Sequence, residues 1–139
     1  MMWWHYALIS AVAASATAIL AKLGVKDVPS NLAMAIRTAV ILPFAWGLAF
    51  ATREHEALPS VSGRSLVFLI LSGVGTGVSW LAYFKALSLG PASKVAPLDK
   101  VSLAFTLLLA AVVLGEHLTW KVVAGASLMI VGALLTLAP

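Results

Sequence analysis

The hydrophobic positions of this chain form five long runs, which short polar or Gly/Pro-containing segments separate. A predominantly apolar run of about 18 or more residues is long enough to cross a bilayer as a helix. The predicted spans cover residues 3–23, 31–51, 65–89, 93–114 and 119–137. The longest connection, residues 52–64, is polar, so we expect a solvated loop there. The pattern therefore predicts an all-α membrane protein with one domain of five transmembrane helices over residues 1–139.

Residues that interrupt helices mark the ends of several runs. Gly24 follows span 1 and Gly90-Pro91 follows span 3, at positions where glycine and proline commonly end a helix. Ser30 or Asn31 is the predicted N-cap of span 2. Pro43 lies inside span 2, where it removes a main-chain hydrogen bond and therefore predicts a kink.

The composition agrees with a membrane protein. Hydrophobic residues make up 62% and charged residues 10% of the chain, whereas an ordinary soluble domain has roughly 25% charged residues. The net charge of +4 comes from basic residues that stand singly at span ends. We therefore expect anionic lipid headgroups as neighbours, and no nucleic acid. The chain has no cysteine, which excludes disulfides and thiolate metal sites. The N-terminal run lacks the basic start of a signal peptide and is interpreted as the first span.

Three charged residues lie inside the predicted spans, namely Arg37 in span 2 and the adjacent Asp99 and Lys100 in span 4. A charge at membrane depth costs at least about 2.5–3.5 kcal/mol, so it is usually kept for a pathway, a relay or a partner. Spans 2 and 4 start from the same membrane face, and each charge lies roughly 10 Å from it. We therefore predict that Arg37 and Asp99 are close in space, directly or through one shared partner. A purely structural ion network is the alternative.

Polar and aromatic side chains recur at helical spacing near these charges. Thr76, Trp80 and Tyr83 fall on one face of span 3. Asp99 and Ser102 fall on one face of span 4. Such walls suit a small organic solute, because aromatic rings cover its apolar or cationic parts and polar groups orient the rest. Packing or interfacial positions are the alternative for Trp80 and Tyr83.

Two further groups of residues have more than one interpretation. Lys85 and Lys94 lie near span ends, where a lysine can extend to the headgroups or contact the solute as a gate. Gly73 and Gly77 match the spacing of small residues at closely packed helix pairs.

A series of motifs in the second half of the chain is similar to a known family. The motifs read Tyr83-Phe84-Lys85-Ala86-Leu87, Gly90-Pro91-Ala92, Leu114-Gly115-Glu116-His117-Leu118, and Gly125-Ala126 with Gly132. In this order they resemble the EamA-like domains of the drug/metabolite transporter superfamily, which often have an Arg in the second helix, as at Arg37 here. The likeness covers most of the chain. Family members often have ten spans, in two halves of opposite orientation, and usually no charges beside the proline of the fourth helix, where this chain has Asp99 and Lys100.

The resemblance implies an integral membrane solute transporter in the inner or plasma membrane of a prokaryote. It further implies export of a small metabolite by alternating access, coupled to a proton or another gradient, and we expect no cofactor. Arg37, Asp99 and Lys100 would bind or gate the solute, with Asp99 exchanging a proton for it. The alternative is a small helical subunit that assembles with another membrane protein and transports nothing alone. Neither a His/Asp metal cluster nor a nucleophile–base spacing favours an enzyme.

An odd number of spans lets one unit inserted in both orientations form an inverted pair, so we expect a homodimer, either antiparallel or parallel. Transporters commonly place the solute site between inverted repeats. The basic residues near span ends divide almost evenly between the two membrane faces: Lys22, Lys26, Lys85 and Lys94 on one, and Arg53, Arg64 and Lys121 on the other. A near tie of this kind is what dual insertion requires.

Overall fold

The computed structural model describes residues 2–137, and this part of the chain is helical without strands. The helices are α1 (Trp3–Gly24), α2 (Ser30–Ala51), α3 (Gly63–Leu89), α4 (Ala92–Asp99), α5 (Ser102–Val113) and α6 (Trp120–Leu135), with a 3₁₀ helix at Glu54–Ser60. The all-α prediction is confirmed. The bounds of α1, α2 and α3 lie within two residues of the predicted spans.

Four segments of the described chain are long and apolar enough to cross a membrane: α1, α2, α3 and the combined α4–α5 segment Ala92–Val113. The predicted fifth span is shorter than expected, since α6 has 16 residues and a length of about 24 Å, against a hydrocarbon core of about 30 Å. Thr119 caps its start by accepting a hydrogen bond from the Val122 N–H. At its end, the N–H groups of Thr136 and Leu137 bond three residues back, which tightens the last turn.

The predicted cap of α2 is wrong. Ser30 is already helical, the N-cap position is Pro29, and no side chain caps this end. Proline fits here because its fixed φ is compatible with a helix start and no N–H is lost to the helix. Later in the same helix, α2 continues through Pro43 without interruption.

The loop that follows α2 contains more structure than the sequence suggested. Residues Glu54–Ser60 form a 3₁₀ helix that packs against α2. Arg53 connects the two elements with φ +61°, which is the only positive φ among the non-glycine residues that the structure describes. This left-handed conformation reverses the chain directly after α2, in the position where glycine is usually found.

The predicted fourth span is two helices rather than one. α4 ends at Asp99 and α5 begins at Ser102. Through the break the main-chain N–H groups bond three residues back, as from Lys100 to Pro97 O and from Val101 to Leu98 O, both at 3.0 Å. Pro97, three residues before the break, has no N–H for the Ser93 carbonyl, so the turn that leads to the break has one main-chain hydrogen bond fewer.

Packing divides the chain into two compact units. The first comprises residues 1–19 and 89–139, and in it α6 packs against α4 and α5 with the small residues Ala126 and Ala133 buried. The second comprises residues 20–88, where Val25, Phe84 and Leu87 are buried. Most large apolar side chains of the described residues are exposed, as expected for helices that face lipid.

Candidate functional site

Arg37 lies against aromatic rings of α3. Its guanidinium carbon is 4.3 Å from the centroid of the Trp80 ring and 5.6 Å from that of Phe84. Trp80 and Phe84 are four residues apart, so both rings lie on the same face of α3. A cation over an aromatic ring gains about 0.5–1 kcal/mol at exposed sites and about 2 kcal/mol or more when desolvated. The rings thus hold a membrane-depth charge at low cost. We call Arg37, Trp80 and Phe84 the arginine–aromatic cluster.

Phe84 anchors this cluster. It is 2% exposed, while Arg37 and Trp80 are partly buried. Sequence reasoning named Trp80 and Tyr83 for the solute path but missed Phe84. The spacing of four from Trp80 on the same helix was a signal that could have identified it. Tyr83, the residue before Phe84 on α3, is also partly buried.

The guanidinium of Arg37 keeps its hydrogen-bonding capacity. The guanidinium lies over two aromatic rings of residues 20–88, and no carboxylate or carbonyl oxygen of that unit accepts a hydrogen bond from it. A ring face attracts the positive charge but does not replace an oxygen acceptor for each N–H. An arginine has five such donors in a rigid fork. The cluster therefore positions a cation whose N–H groups remain available to a ligand.

Lys22 has a different role from that of Arg37. Its Nζ donates a hydrogen bond to the carbonyl oxygen of Leu87 at 2.6 Å. In a continuing helix this carbonyl would accept from residue 91, which is proline and has no N–H. The ammonium therefore caps the C-terminal end of α3, where the helix dipole also favours a cation.

Asp99 and Lys100 lie together at the break between α4 and α5. Lys100 Nζ is 3.2 Å from Asp99 Oδ2, and both side chains are partly exposed. This contact gives each charge a neighbour of opposite sign in a segment long enough to span the membrane. Asp99 and Arg37 belong to different compact units, and their proximity stays a prediction.

The remaining predicted site residues have exposed side chains. Thr76 donates to the Ser72 carbonyl at 3.0 Å, which leaves its oxygen free to accept. Ser102 is the first residue of α5, and its carbonyl accepts from the Thr106 hydroxyl at 3.0 Å. Lys85 on α3 and Lys94 on α4 are both exposed. The roles of these four residues in binding or gating stay predictions.

A shallow groove between the end of α2 and the 3₁₀ helix was not foreseen from the sequence. It has a volume of about 330 Å³ and is lined by Ala45, Trp46, Ala49, Glu54, His55 and Leu58. His55 Nδ1 is 3.4 Å from the Ala49 carbonyl oxygen, and its ring lies 4.5 Å from that of Phe50. Among residues 2–137 no group of three or more His, Asp or Glu side chains could hold a metal ion.

Comparison with known proteins identifies the family. The EamA-like transporter family matches residues 1–138 of the chain. A protein of Sinorhizobium sp named "Uncharacterized transporter in cobO 3'region" is 44% identical over 133 residues, which cover 96% of this chain and 94% of that protein. No solved structure matches the chain significantly. The chain therefore belongs to the EamA-like transporter family and is an integral membrane transporter.

Proposed function

We propose that this protein exports a small metabolite by alternating access, driven by a proton or another electrochemical gradient, in the inner membrane of a prokaryote. The observation that supports solute binding is the arginine–aromatic cluster, in which Arg37 lies 4.3 Å over Trp80. Arg37 is seven residues into α2, a depth of about 10 Å. A charge is expensive at this depth and is normally retained for function.

The break between α4 and α5 supports a conformational step. Discontinuous helices are common at the binding sites of secondary transporters, because their free main-chain groups and local flexibility serve the solute and the gate. A 3₁₀ segment within a longer helix is also a frequent hinge. Asp99 ends α4 beside this hinge, so a change in its charge would act where the helix is weakest. We assign proton exchange to Asp99 on this basis.

We further propose that the working form is a homodimer of inverted protomers. The family resemblance supports this form, because the chain corresponds to one five-span half of relatives that often have two. Gly73 and Gly77, four residues apart on one face of α3, offer a surface for close packing: a Cβ atom added at either would meet no atom outside the helix's own backbone within 4 Å. Such open small residues let a second helix approach closely in a bilayer.

The test is flux through the purified protein. Proteoliposomes that contain this protein alone would be loaded with a panel of radiolabelled metabolites, and efflux would be followed with and without an imposed pH gradient. We expect gradient-dependent efflux of at least one solute, lost in Arg37→Gln and retained in Arg64→Gln, an arginine beside Phe68 at the start of α3. Failure of the whole panel, with flux restored by a second membrane protein from the same cells, would favour the subunit alternative.

A further inference from the structure

We infer that the transported solute has a carboxylate beside an apolar body, and that Arg37, held on Trp80, is the residue that binds this carboxylate. The inference rests on the proposed function, because it specifies the solute of the same site. The observation behind it is that the guanidinium of Arg37 lies over aromatic rings of its own unit.

The hydrogen-bonding requirement of the guanidinium indicates an anion. An N–H group that is removed from water without an acceptor destabilises the structure, and Arg37 is partly buried. The rings of Trp80 and Phe84 satisfy the charge of Arg37 but offer no oxygen. A planar carboxylate with two oxygens matches the fork of a guanidinium better than any single carbonyl does. The acceptor that completes this cluster is therefore a carboxylate from outside the unit: that of the bound solute, which takes the place of Asp99, the predicted partner of Arg37 in the unloaded protein.

Lys22, another cation of this unit, is already engaged. The ammonium of Lys22 donates to the Leu87 carbonyl at 2.6 Å and stabilises the end of α3. Among the basic residues of this unit, Arg37 lies over Trp80 and beside the buried Phe84, and it is therefore the cation assigned to the solute. Trp80 is only partly buried, so part of its ring remains accessible to an apolar body next to the carboxylate. The cluster thus fits an amphipathic organic acid better than an inorganic anion or an organic cation.

Phenylacetate and phenylacetamide form a matched pair of probes, because they share the ring and differ in the charge of one group. Trp80 can report binding in a protein whose other tryptophans, at positions 3, 4, 46 and 120, are replaced by phenylalanine. We expect a saturable change in Trp80 fluorescence with phenylacetate and at least tenfold weaker binding of the amide. Thermal unfolding of the protein with all five tryptophans, in the presence of each probe, provides the same comparison if the single-tryptophan protein does not fold.

Two arginine variants separate a specific site from general attraction. Arg37→Gln should weaken phenylacetate binding at least tenfold, and Arg37→Lys should weaken it less, because lysine keeps the charge without the fork. Arg64→Gln is the control and should bind as the parent protein does, since Arg64 lies elsewhere on α3, 5.8 Å from Phe68. Equal binding of acid and amide, no saturable response to phenylacetate, or an unchanged Arg37→Gln would each overturn the inference.

Anionic lipid is the other source of an oxygen ligand. Phosphatidylglycerol added to the detergent should leave phenylacetate binding unchanged, and phosphatidylcholine serves as the control. Displacement of phenylacetate by phosphatidylglycerol alone would assign Arg37 to lipid and overturn the solute class.

The transport proposal and the carboxylate inference can fail separately. If a neutral solute or a cation were transported independently of Arg37, the protein would still be a transporter, but the inference of a carboxylate solute would be wrong. If phenylacetate bound in an Arg37-dependent way but no metabolite were transported, the carboxylate site would stand and the transport proposal would fail.

Discussion

The Nζ atom of Lys22 lies 2.6 Å from the carbonyl oxygen of Leu87, which has no helical N–H four residues later because residue 91 is proline. The proline after α3 thus leaves the Leu87 carbonyl without a helical donor, and Lys22 at the end of α1 donates a hydrogen bond to it instead. Leu87 is fully buried, so water is a poor substitute for this donor. The contact explains why a lysine at a span end, where extension to the headgroups was expected, turns toward the protein.

We predict that Lys22→Met destabilises the protein by about 1–2 kcal/mol, because a hydrogen bond from a charged donor to a protected carbonyl is lost. Lys26→Met is the matched control, since Lys26 is exposed in the turn after α1. Thermal unfolding of both variants in detergent would measure the difference. Equal melting temperatures for the two variants would show that the lysine contributes nothing to the end of α3.

A second prediction concerns the conformation of Arg53. Its φ of +61° is strained for a residue with a Cβ atom. Arg53→Gly should therefore stabilise the folded protein, by about 0.5–1 kcal/mol after the greater freedom of glycine in the unfolded chain is subtracted. Thr52→Gly should destabilise it instead, because Thr52 has an ordinary φ of −88° and its hydroxyl bonds to the Leu48 carbonyl. A loss of stability in Arg53→Gly would contradict the strain argument.

The predicted pairing of Arg37 with Asp99 can be tested by a double-mutant cycle. Asp99→Asn alone should leave Arg37 without a counter-charge and lower stability and flux together. Arg37→Gln combined with Asp99→Asn should recover stability relative to Asp99→Asn but not flux, because Arg37 is then no longer left without a counter-charge, while Lys100 loses Asp99 in both variants. Additive effects of the two changes on the free energy of unfolding would show that the residues do not interact.

The helices could be predicted well from the sequence, whereas the partners of the charged residues could not. Runs of apolar residues fix the bounds of α1 to α3 because the length of a membrane helix is set by the bilayer. The break at residues 100–101 was not foreseen, and Pro97 did not locate it, since prolines also occur in continuous helices, as Pro43 does in α2. The contact of Arg37 with Trp80 depends on how α2 and α3 are rotated about their axes. Helices that are apolar on all sides do not specify this rotation in their pattern.

We predict that the pH dependence of transport requires Asp99. A proton gradient can be coupled to the solute only through a group whose charge differs between the two states, and Asp99 is the carboxylate that we assign to this role. Asp99→Asn, whose amide does not titrate, should abolish gradient-driven flux but retain part of the solute binding. Asp27→Asn, in the exposed turn after α1, is the control. If the flux of Asp99→Asn kept its response to pH, Asp99 would have to be removed from the mechanism.

The last prediction is dual topology, and the cysteine-free sequence permits a direct test. An antiparallel pair would place one Asp99-Lys100 pair toward each membrane face, so that each could serve as a gate to a shared path. A parallel pair would put both at one mouth and leave half of a polar solute's route without polar groups, at a high cost of desolvation. The variants for this test are Glu56→Cys, at an exposed position of the 3₁₀ helix, and Asp27→Cys. The two positions lie on opposite membrane faces of a protomer because α2 separates them. Each should react with a membrane-impermeant maleimide from both sides of the membrane in comparable fractions. Labelling of the two positions from opposite sides only would establish a fixed topology, and the antiparallel dimer would then be wrong.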